Sequence, residues 1–482
     1  MNLSCENKMK LYESLAETLQ QRIEQGFYLA GDKLPSVRLL STEHQVSIAT
    51  AQQALWLLEQ QNYVEVRPKS GFYVKARKKP IQMPAVSRFT QYPVEVSQWS
   101  EVLNLLAGRF ADGVLNLGRG ICDLETATLK PMQRLLSEAA KNERILAYDT
   151  LQGCLEVREQ IAHLSLASGT SVHPDDVITT TGCQEALSIS LKAITKPGDV
   201  VAVESPSFYG LMQILNALGL KALEIPTHPS DGISLDALEL ALDQWPVRAV
   251  LVISSFSNPL GGSMSDENKL RLLRLAQNYD LPILEDDIYG ELAYRQPRPK
   301  TIYSMDKEGR VILCSSFSKT LATGFRVGWV LPGRYRERVL HMKYTGTAST
   351  VLLTQLAIAK FIEQGYYERH LRKMRLQYQA GRDAFIRQVE QYFPEETRMS
   401  FPQGGFMLWV EMPIQTDGLV LAKRMEQHRI KIAPGGIFSA SGKYRNCTRL
   451  NYSRGTESAN LEAIKLLGSE AKQILASNAN GK

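Results

Sequence analysis

The sequence predicts an α/β chain in three parts: a small three-helix unit ending in a β-hairpin, a linker, and a large unit on a mostly parallel sheet with a smaller C-terminal subdomain. Three observations carry that reading. At 482 residues the chain exceeds the size at which a single core stops growing, so more than one domain is expected. Apolar residues recur every four positions at Leu11, Leu15, Leu19 and Ile23, whereas from about Asp112 short apolar runs alternate with helical stretches. Between the two patterns, roughly Lys75 to Ala107, lies a stretch with Pro80, Pro84 and Pro93 that is long for a loop inside one domain. The expected bounds are 8–76, 77–107 and 108–480.

In the first unit, the four-residue repeat from Leu11 marks an amphipathic helix, stopped by Gly26 and the Ala30-Gly31-Asp32 turn. Pro35-Ser36 opens a short second helix, with Ser36 as cap and Val37, Leu39 and Leu40 pointing inward. Ser47 caps a third helix whose apolar face is Ala51, Ala54, Leu55, Leu57 and Leu58. Tyr63–Val66 and Gly71–Val74 read as strands, and Arg67-Pro68-Lys69-Ser70 turns between them. Three helices and a basic hairpin make a winged helix.

In the large unit, strands are expected at Val177–Thr181, Val200–Glu204, Ala222–Ile225, Ala249–Ile253, Pro282–Glu285, Val311–Cys314 and Val327–Leu331. Helices such as Glu185–Ala193 and Lys269–Tyr279 separate them, the alternation that places helices on both faces of a parallel sheet. Such sheets take ligands at the carboxyl ends of their strands. After Thr347 helices dominate, and Phe406–Glu411 and Thr448–Tyr452 read as strands of the subdomain.

Composition narrows the chemistry. Apolar residues are 44% and charged residues 22%, an ordinary globular balance. The net charge of +6 is mild, but Arg67, Lys69, Lys75, Arg77, Lys78 and Lys79 form a basic run that either tracks phosphates or is a solvated edge. The six cysteines form no C-x-x-C pair and the seven histidines no H-E-x-x-H, so neither a metal site nor a disulfide framework is expected. Met1 to Lys10 has no apolar signal core, and no apolar stretch reaches the ~18 residues of a membrane span. A cytoplasmic protein without a membrane partner is expected.

Several side chains in the first unit suit nucleic acid. Ser47, Thr50 and Gln53 stand at the start and on the polar face of the third helix, where short hydroxyls and amides approach bases and phosphates closely. Arg38 lies on the second helix, and Arg67, Lys69, Ser70 and Gly71 form the hairpin tip. Taken singly, Ser47 is also a plain helix cap and Arg38 a solvated cation. The runs Leu34-Pro35-Ser36-Val37-Arg38, Val46-Ser47-Ile48-Ala49-Thr50 and Arg67-Pro68-Lys69-Ser70-Gly71-Phe72-Tyr73-Val74 together resemble the GntR-type winged helix-turn-helix. The resemblance implies a double-stranded DNA operator as partner. One departure is Ile48, where that family usually has Arg.

A second constellation lies in the large unit. Ser316-Phe317-Ser318-Lys319 follows a strand, with the cation Arg326 seven residues on. Glu285-Asp286-Asp287-Ile288-Tyr289 follows another strand, Asn258-Pro259-Leu260-Gly261-Gly262 a third, and Thr181-Gly182-Cys183-Gln184-Glu185 opens a helix. Each alone reads as a surface lysine, an acidic turn, a good turn or a capped helix start. Together they supply what pyridoxal 5'-phosphate (PLP) needs: an amine, a carboxylate for the pyridine nitrogen, donors to the ring oxygen and a phosphate cup.

In identity and order these motifs resemble the fold type I PLP enzymes of the aspartate-aminotransferase superfamily. The resemblance implies that Lys319 forms the Schiff base, Asp286 pairs with the pyridine nitrogen, and Asn258 and Tyr289 bond the ring oxygen. It implies phosphate contacts from Thr181, Gly182, Cys183, Ser316, Ser318 and Arg326, and ring stacking by Phe208 of Glu204-Ser205-Pro206-Ser207-Phe208-Tyr209-Gly210. Tyr148 matches the tyrosine that reaches the neighbouring subunit's phosphate, which implies a homodimer. Arg449 matches the arginine that clamps an amino acid's carboxylate, and Gly120 lies where substrate enters. That segment, Gly118-Arg119-Gly120-Ile121-Cys122-Asp123, departs from the family's glycine-x-proline-aspartate.

A GntR-like winged helix joined to an aminotransferase-like domain is the layout of the MocR subfamily. It implies a transcription regulator that senses PLP or a small amino compound through aldimine formation. The other expectations are an active amino-acid aminotransferase with an autoregulatory DNA-binding domain, and a DNA-binding scaffold that only dimerises.

Overall fold

The computed structural model describes residues 11–24, 27–29, 31–60, 63–67, 70–75, 81–86, 91–96, 113–122 and 126–480. The chain divides into two compact units, Met1–Pro80 and Ile81–Lys482.

The first unit contains helices α1 (Leu11–Glu24), α2 (Val37–Glu43) and α3 (Ile48–Gln60), then strands β1 (Val64–Arg67) and β2 (Gly71–Val74). The strands pair antiparallel, Val64 opposite Val74 and Arg67 opposite Gly71. Both predicted caps are present: Ser36 Oγ accepts from Leu39 N at 3.3 Å, and Ser47 Oγ from Thr50 N at 3.0 Å. Leu15, Leu19, Leu40, Ala51, Ala54, Leu55, Leu58, Val64 and Val74 close one core. One inward assignment is corrected. Leu39 is 48% exposed: Val37 and Leu40, three apart, share the inner face of α2, and Leu39 lies ~100° round from Leu40.

The second unit is built on an eight-stranded sheet. In chain order come β3 (Leu115–Asn116), β4 (Ile178–Thr180), β5 (Val200–Ser205), β6 (Lys221–His228), β7 (Gly232–Ile233), β8 (Val247–Val252), β9 (Ile283–Asp286), β10 (Val311–Ser316) and β11 (Gly328–Leu331). The sheet order is β4-β11-β10-β9-β8-β5-β6-β7, and β3 lies outside it. The central pairs are parallel, β11 runs antiparallel to both neighbours and β7 folds back on β6. Strands β5 and β10 are buried along their whole length, as a sheet covered on both faces requires. Alternation sorts their side chains. Val201 and Val203 pack under the helices Cys183–Ile194 and Tyr209–Ala217, and Val200 and Ala202 under Leu235–Gln244 and Asp266–Asn278.

The smaller subdomain adds β12 (Arg398–Met399), β13 (Met407–Glu411), β14 (Ile430–Lys431), β15 (Ala433–Pro434) and β16 (Cys447–Asn451). Strands β12-β13-β16-β15 form an antiparallel sheet, and β14 pairs in parallel with β3. The described parts of the expected linker lie on this unit. Met399 N donates to Gln82 O at 3.0 Å, and Val94 bridges Ala222 of β6.

No helix among the described residues is long and apolar enough to cross a membrane, and no metal-binding group of His, Cys, Asp or Glu occurs among them.

Candidate functional site

The parallel strands deliver their following loops to one end of the sheet. Gly182 follows β4, Phe208 follows β5, Asn258 follows β8, Asp286 ends β9 and Lys319 comes three residues after β10. Sequence alone does not sort the acidic run Glu285-Asp286-Asp287; the structure does. Glu285 turns to Ser254 and accepts from Ile302 N at 2.8 Å and Tyr303 N at 2.9 Å. Asp287 pairs with Arg298 at 2.5 Å. Asp286 is left to the strand-end site, where its Oδ1 accepts from Ile288 N at 3.1 Å and from Cys183 Sγ at 3.5 Å.

Burial sets the protonation of this group. It pushes Asp286 up to about 7, with Cys183 and the charge on Lys319 opposing. It pushes Lys319 down from its usual value, which raises the share of neutral, nucleophilic amine. Lys319 Nζ donates to Gly120 O. A Cβ on Gly120 would lie 3.8 Å from Lys319 Nζ and 3.9 Å from an Arg449 nitrogen, so this glycine keeps open the space between the two cations.

Arg449, on β16, is fully buried. Nη1 donates to Asn258 Oδ1 at 2.9 Å, Nη2 to Gly118 O, and the guanidinium lies 4.9 Å from the Phe438 ring centre and 5.6 Å from that of Tyr209. Its Nε has no hydrogen-bond partner among the described residues. Asn258 Nδ2 also donates to Tyr289 OH at 3.2 Å, so Asn258 joins the arginine to the tyrosine. Burial raises the Tyr289 hydroxyl pKa, keeping it a proton donor.

The expected phosphate residues form a second cluster. Gly182, at φ +85°, caps the helix Cys183–Ile194, and a Cβ there would lie 2.6 Å from Arg326 Nη2. Arg326 Nη2 donates to Thr181 O at 2.8 Å. Ser316 Oγ accepts from Ser318 N at 3.3 Å, and Ser318 Oγ is buried without a partner among the described residues. Thr181 N–H is already taken by the Glu185 carboxylate, so its backbone donor is not free. The Cys183 thiol faces Asp286. Phe208 packs beside Tyr209, ring centres 4.9 Å apart. Tyr148 stands at the surface, 91% exposed.

These residues fit PLP. Lysine, carboxylate and arginine converge, glycines hold space that a side chain would fill, and two buried polar atoms, Ser318 Oγ and Arg449 Nε, lack partners. Sequence reasoning did not find Gly118, Tyr209 or Phe438 around Arg449, nor Asn451. Asn451 Nδ2 donates to Arg119 O at 2.7 Å and Ile121 O at 2.9 Å, holding the loop of Gly120. Asn451 is two residues beyond Arg449, on the same face of one strand, which is the signal that could have found it.

In the first unit, Arg38, Ser47 and Gln53 are exposed and Thr50 is half-buried; Ser47 and Thr50 share a 2.8 Å hydroxyl contact. Arg67 is engaged, paired with Glu65 at 2.9 Å and lying 4.2 Å over the Tyr73 ring. Ser70 Oγ lies 2.6 Å from Tyr73 OH. Lys69 lies outside the described residues. Gly71, at φ +121°, has the Lys33 stem 3.2 Å from where its Cβ would be. Lys33 therefore adds a cation at the hairpin, and nothing in its sequence neighbourhood marks it.

Residues 112–467 match the aminotransferase class I and II family, and residues 11–74 the gntR family of bacterial regulatory proteins. The chain is 47% identical to the uncharacterized HTH-type transcriptional regulator YjiR of Escherichia coli (strain K12), over 95% of this chain and 98% of that one. It is 33% identical to YdcR of the same organism, also an uncharacterized HTH-type transcriptional regulator, with the same coverage of each chain. Among solved structures it resembles a kynurenine aminotransferase of Pyrococcus horikoshii in complex with PMP. There the identity is 30% and the TM-score 0.71, over 79% of this chain and 96% of that one. It also resembles the α-aminoadipate aminotransferase LysN of Thermus thermophilus, at 27% identity and TM-score 0.71 over the same shares. The chain belongs to the aminotransferase class I and II family, in the MocR-type branch that carries a gntR-family helix-turn-helix domain ahead of the fold type I domain.

Proposed function

We propose that this protein is a PLP-dependent, DNA-binding transcription regulator whose aminotransferase-like domain senses PLP or a small amino compound. The observation that carries the reading is the fully buried Arg449, with an unpartnered Nε, in one strand-end site with Lys319 and Asp286. Its presence in a chain alike over 95% of its length to named regulators favours sensing. A DNA-binding protein of this kind acts in the cytoplasm, and we take residues 8–76 as the DNA-binding domain, 77–107 as linker and 108–480 as the sensing domain.

When bound, PLP supplies an electron-withdrawing ring that makes an amino group attached to it reactive. The chain's own residues set what happens around it. Lys319 presents an amine that burial makes easier to deprotonate. Asp286 would pair with the pyridine nitrogen, and Tyr289 and Asn258 would bond the ring oxygen. Ser316, Ser318, Arg326 and the helix start at Gly182-Cys183 would hold the phosphate. Arg449, with a planar fork of donors, selects a carboxylate-bearing amine. Phe208 would stack on the ring.

A homodimer accompanies this reading. Leu146, Tyr148 and Val351 are 87%, 91% and 65% exposed, and Asp149 N donates to Ser349 Oγ at 3.3 Å, so two apolar surface segments lie together. A second subunit covers that patch and receives Tyr148.

The test is an absorbance spectrum of the purified chain beside Lys319→Ala, with added PLP and a scan of amino acids. We expect a visible PLP band in the wild type that Lys319→Ala lacks, shifted by one amino compound without sustained keto-acid release. Continuous keto-acid production makes the protein an aminotransferase, and no band after PLP addition rejects PLP sensing.

A further inference from the structure

Helix α3 carries no lysine or arginine anywhere in Ile48–Gln60, and its one charged residue is Glu59. Its buried residues, Ala51, Ala54, Leu55 and Leu58, occupy one arc of the helix. Outside that arc, the first two turns hold Ile48, Ala49, Gln52 and Gln53, neighbours at spacings of three and four. All four are exposed, and Ile48 is 55% exposed despite being among the most apolar side chains. The first turn of the second helix of a helix-turn-helix is the part that meets base edges in the major groove. What this helix offers there is two apolar groups and two amides.

Those groups have specific counterparts. Guanine is read above all by bidentate arginine or lysine, which α3 lacks. Gln binds adenine N6 and N7 in a bidentate manner, and apolar side chains contact the thymine methyl. Cations stand elsewhere, at Arg38 on α2 and Lys33 by the hairpin, where they suit phosphates, and at Arg67, which is paired with Glu65.

We propose that α3 reads A·T base pairs in the major groove, with Ile48 and Ala49 against thymine methyls and Gln52 or Gln53 on adenine. This rests on the DNA-binding reading and adds the class of operator it recognises. Ile48, where an arginine would read guanine, then exchanges one specificity for another.

The test begins with selection of the full-length chain on a random double-stranded DNA library. The best ligand is then remade with thymine replaced by deoxyuridine one position at a time, which removes only the methyl. We expect A·T pairs at the inner positions of each half-site. One or two positions should lose about fourfold in affinity on loss of the methyl, the effect of one apolar carbon leaving contact. Ile48→Ala should remove that sensitivity at one position, and Ile48→Arg should move the selected base pair there to G·C. Because Ile48 is exposed, helicity by circular dichroism should match the wild type in both variants. Tight binding with G·C pairs selected, or with full indifference to deoxyuridine, overturns the proposal while leaving DNA binding intact. Failure to enrich any sequence overturns DNA binding itself.

Discussion

Asp286 is a carboxyl whose environment decides its charge. Burial lifts its pKa from the ordinary carboxylate range to about 7, so the native site holds the proton more firmly than the unfolded chain. Its contribution to stability is therefore full below about pH 4 and is lost as pH rises through about 7. In the cofactor-free protein, the difference in urea unfolding between wild type and Asp286→Asn should decline across that window, by no more than about 4 kcal/mol. A difference independent of pH would place Asp286 outside the buried site. Gly182 gives a steric counterpart. At φ +85°, with Arg326 Nη2 2.6 Å from where a Cβ would stand, Gly182→Ala should weaken PLP binding tenfold or more in an absorbance titration. Arg449→Lys keeps the charge but loses the fork, and should cost ~2 kcal/mol of affinity for a carboxylate-bearing amine, about thirtyfold, with PLP binding little changed. Lys319, Asp286 and Arg449 were singled out through the family resemblance, each standing in a short motif beside a strand. The division of labour among Glu285, Asp286 and Asp287 was not, since partners such as Arg298 and Ser254 reach them from distant parts of the chain.

Periodicity made most elements legible. The fully apolar runs of β5 and β10 announce a sheet covered on both faces, and the serine caps announce where α2 and α3 begin. What failed was the inward assignment of Leu39, since a seven-residue helix is too short to average over. The antiparallel entry of β11 between β4 and β10 was also beyond reach, because strand order depends on contacts between distant segments. Caps act at this scale. Ser47→Ala leaves the first-turn N–H of Thr50 without its acceptor and should destabilise the N-terminal unit by ~1 kcal/mol, read as an earlier urea midpoint by far-ultraviolet circular dichroism. An unchanged midpoint would mean that α3 starts without that cap.

Across the whole molecule, two compact units divide two chemistries, one suited to DNA and one to PLP. The order of the two units was plain from the change in sequence pattern. The exposed patch around Tyr148 was legible only through the family resemblance, because exposure is a property of the folded chain. Joining the units into one regulator requires that a ligand of the second have different affinities for DNA-bound and DNA-free protein; tight binding alone shifts nothing. The most direct measurement is DNA affinity of the full chain, by fluorescence anisotropy on the selected ligand, with and without PLP and an amino acid. Wild type and Lys319→Ala should be run side by side. The account predicts a shift of about fivefold or more in the wild type, within the range usual for coupled sites, and none in Lys319→Ala. Equal affinities in every condition would contradict it, leaving a DNA-binding domain and a PLP domain that share a chain without sharing a function.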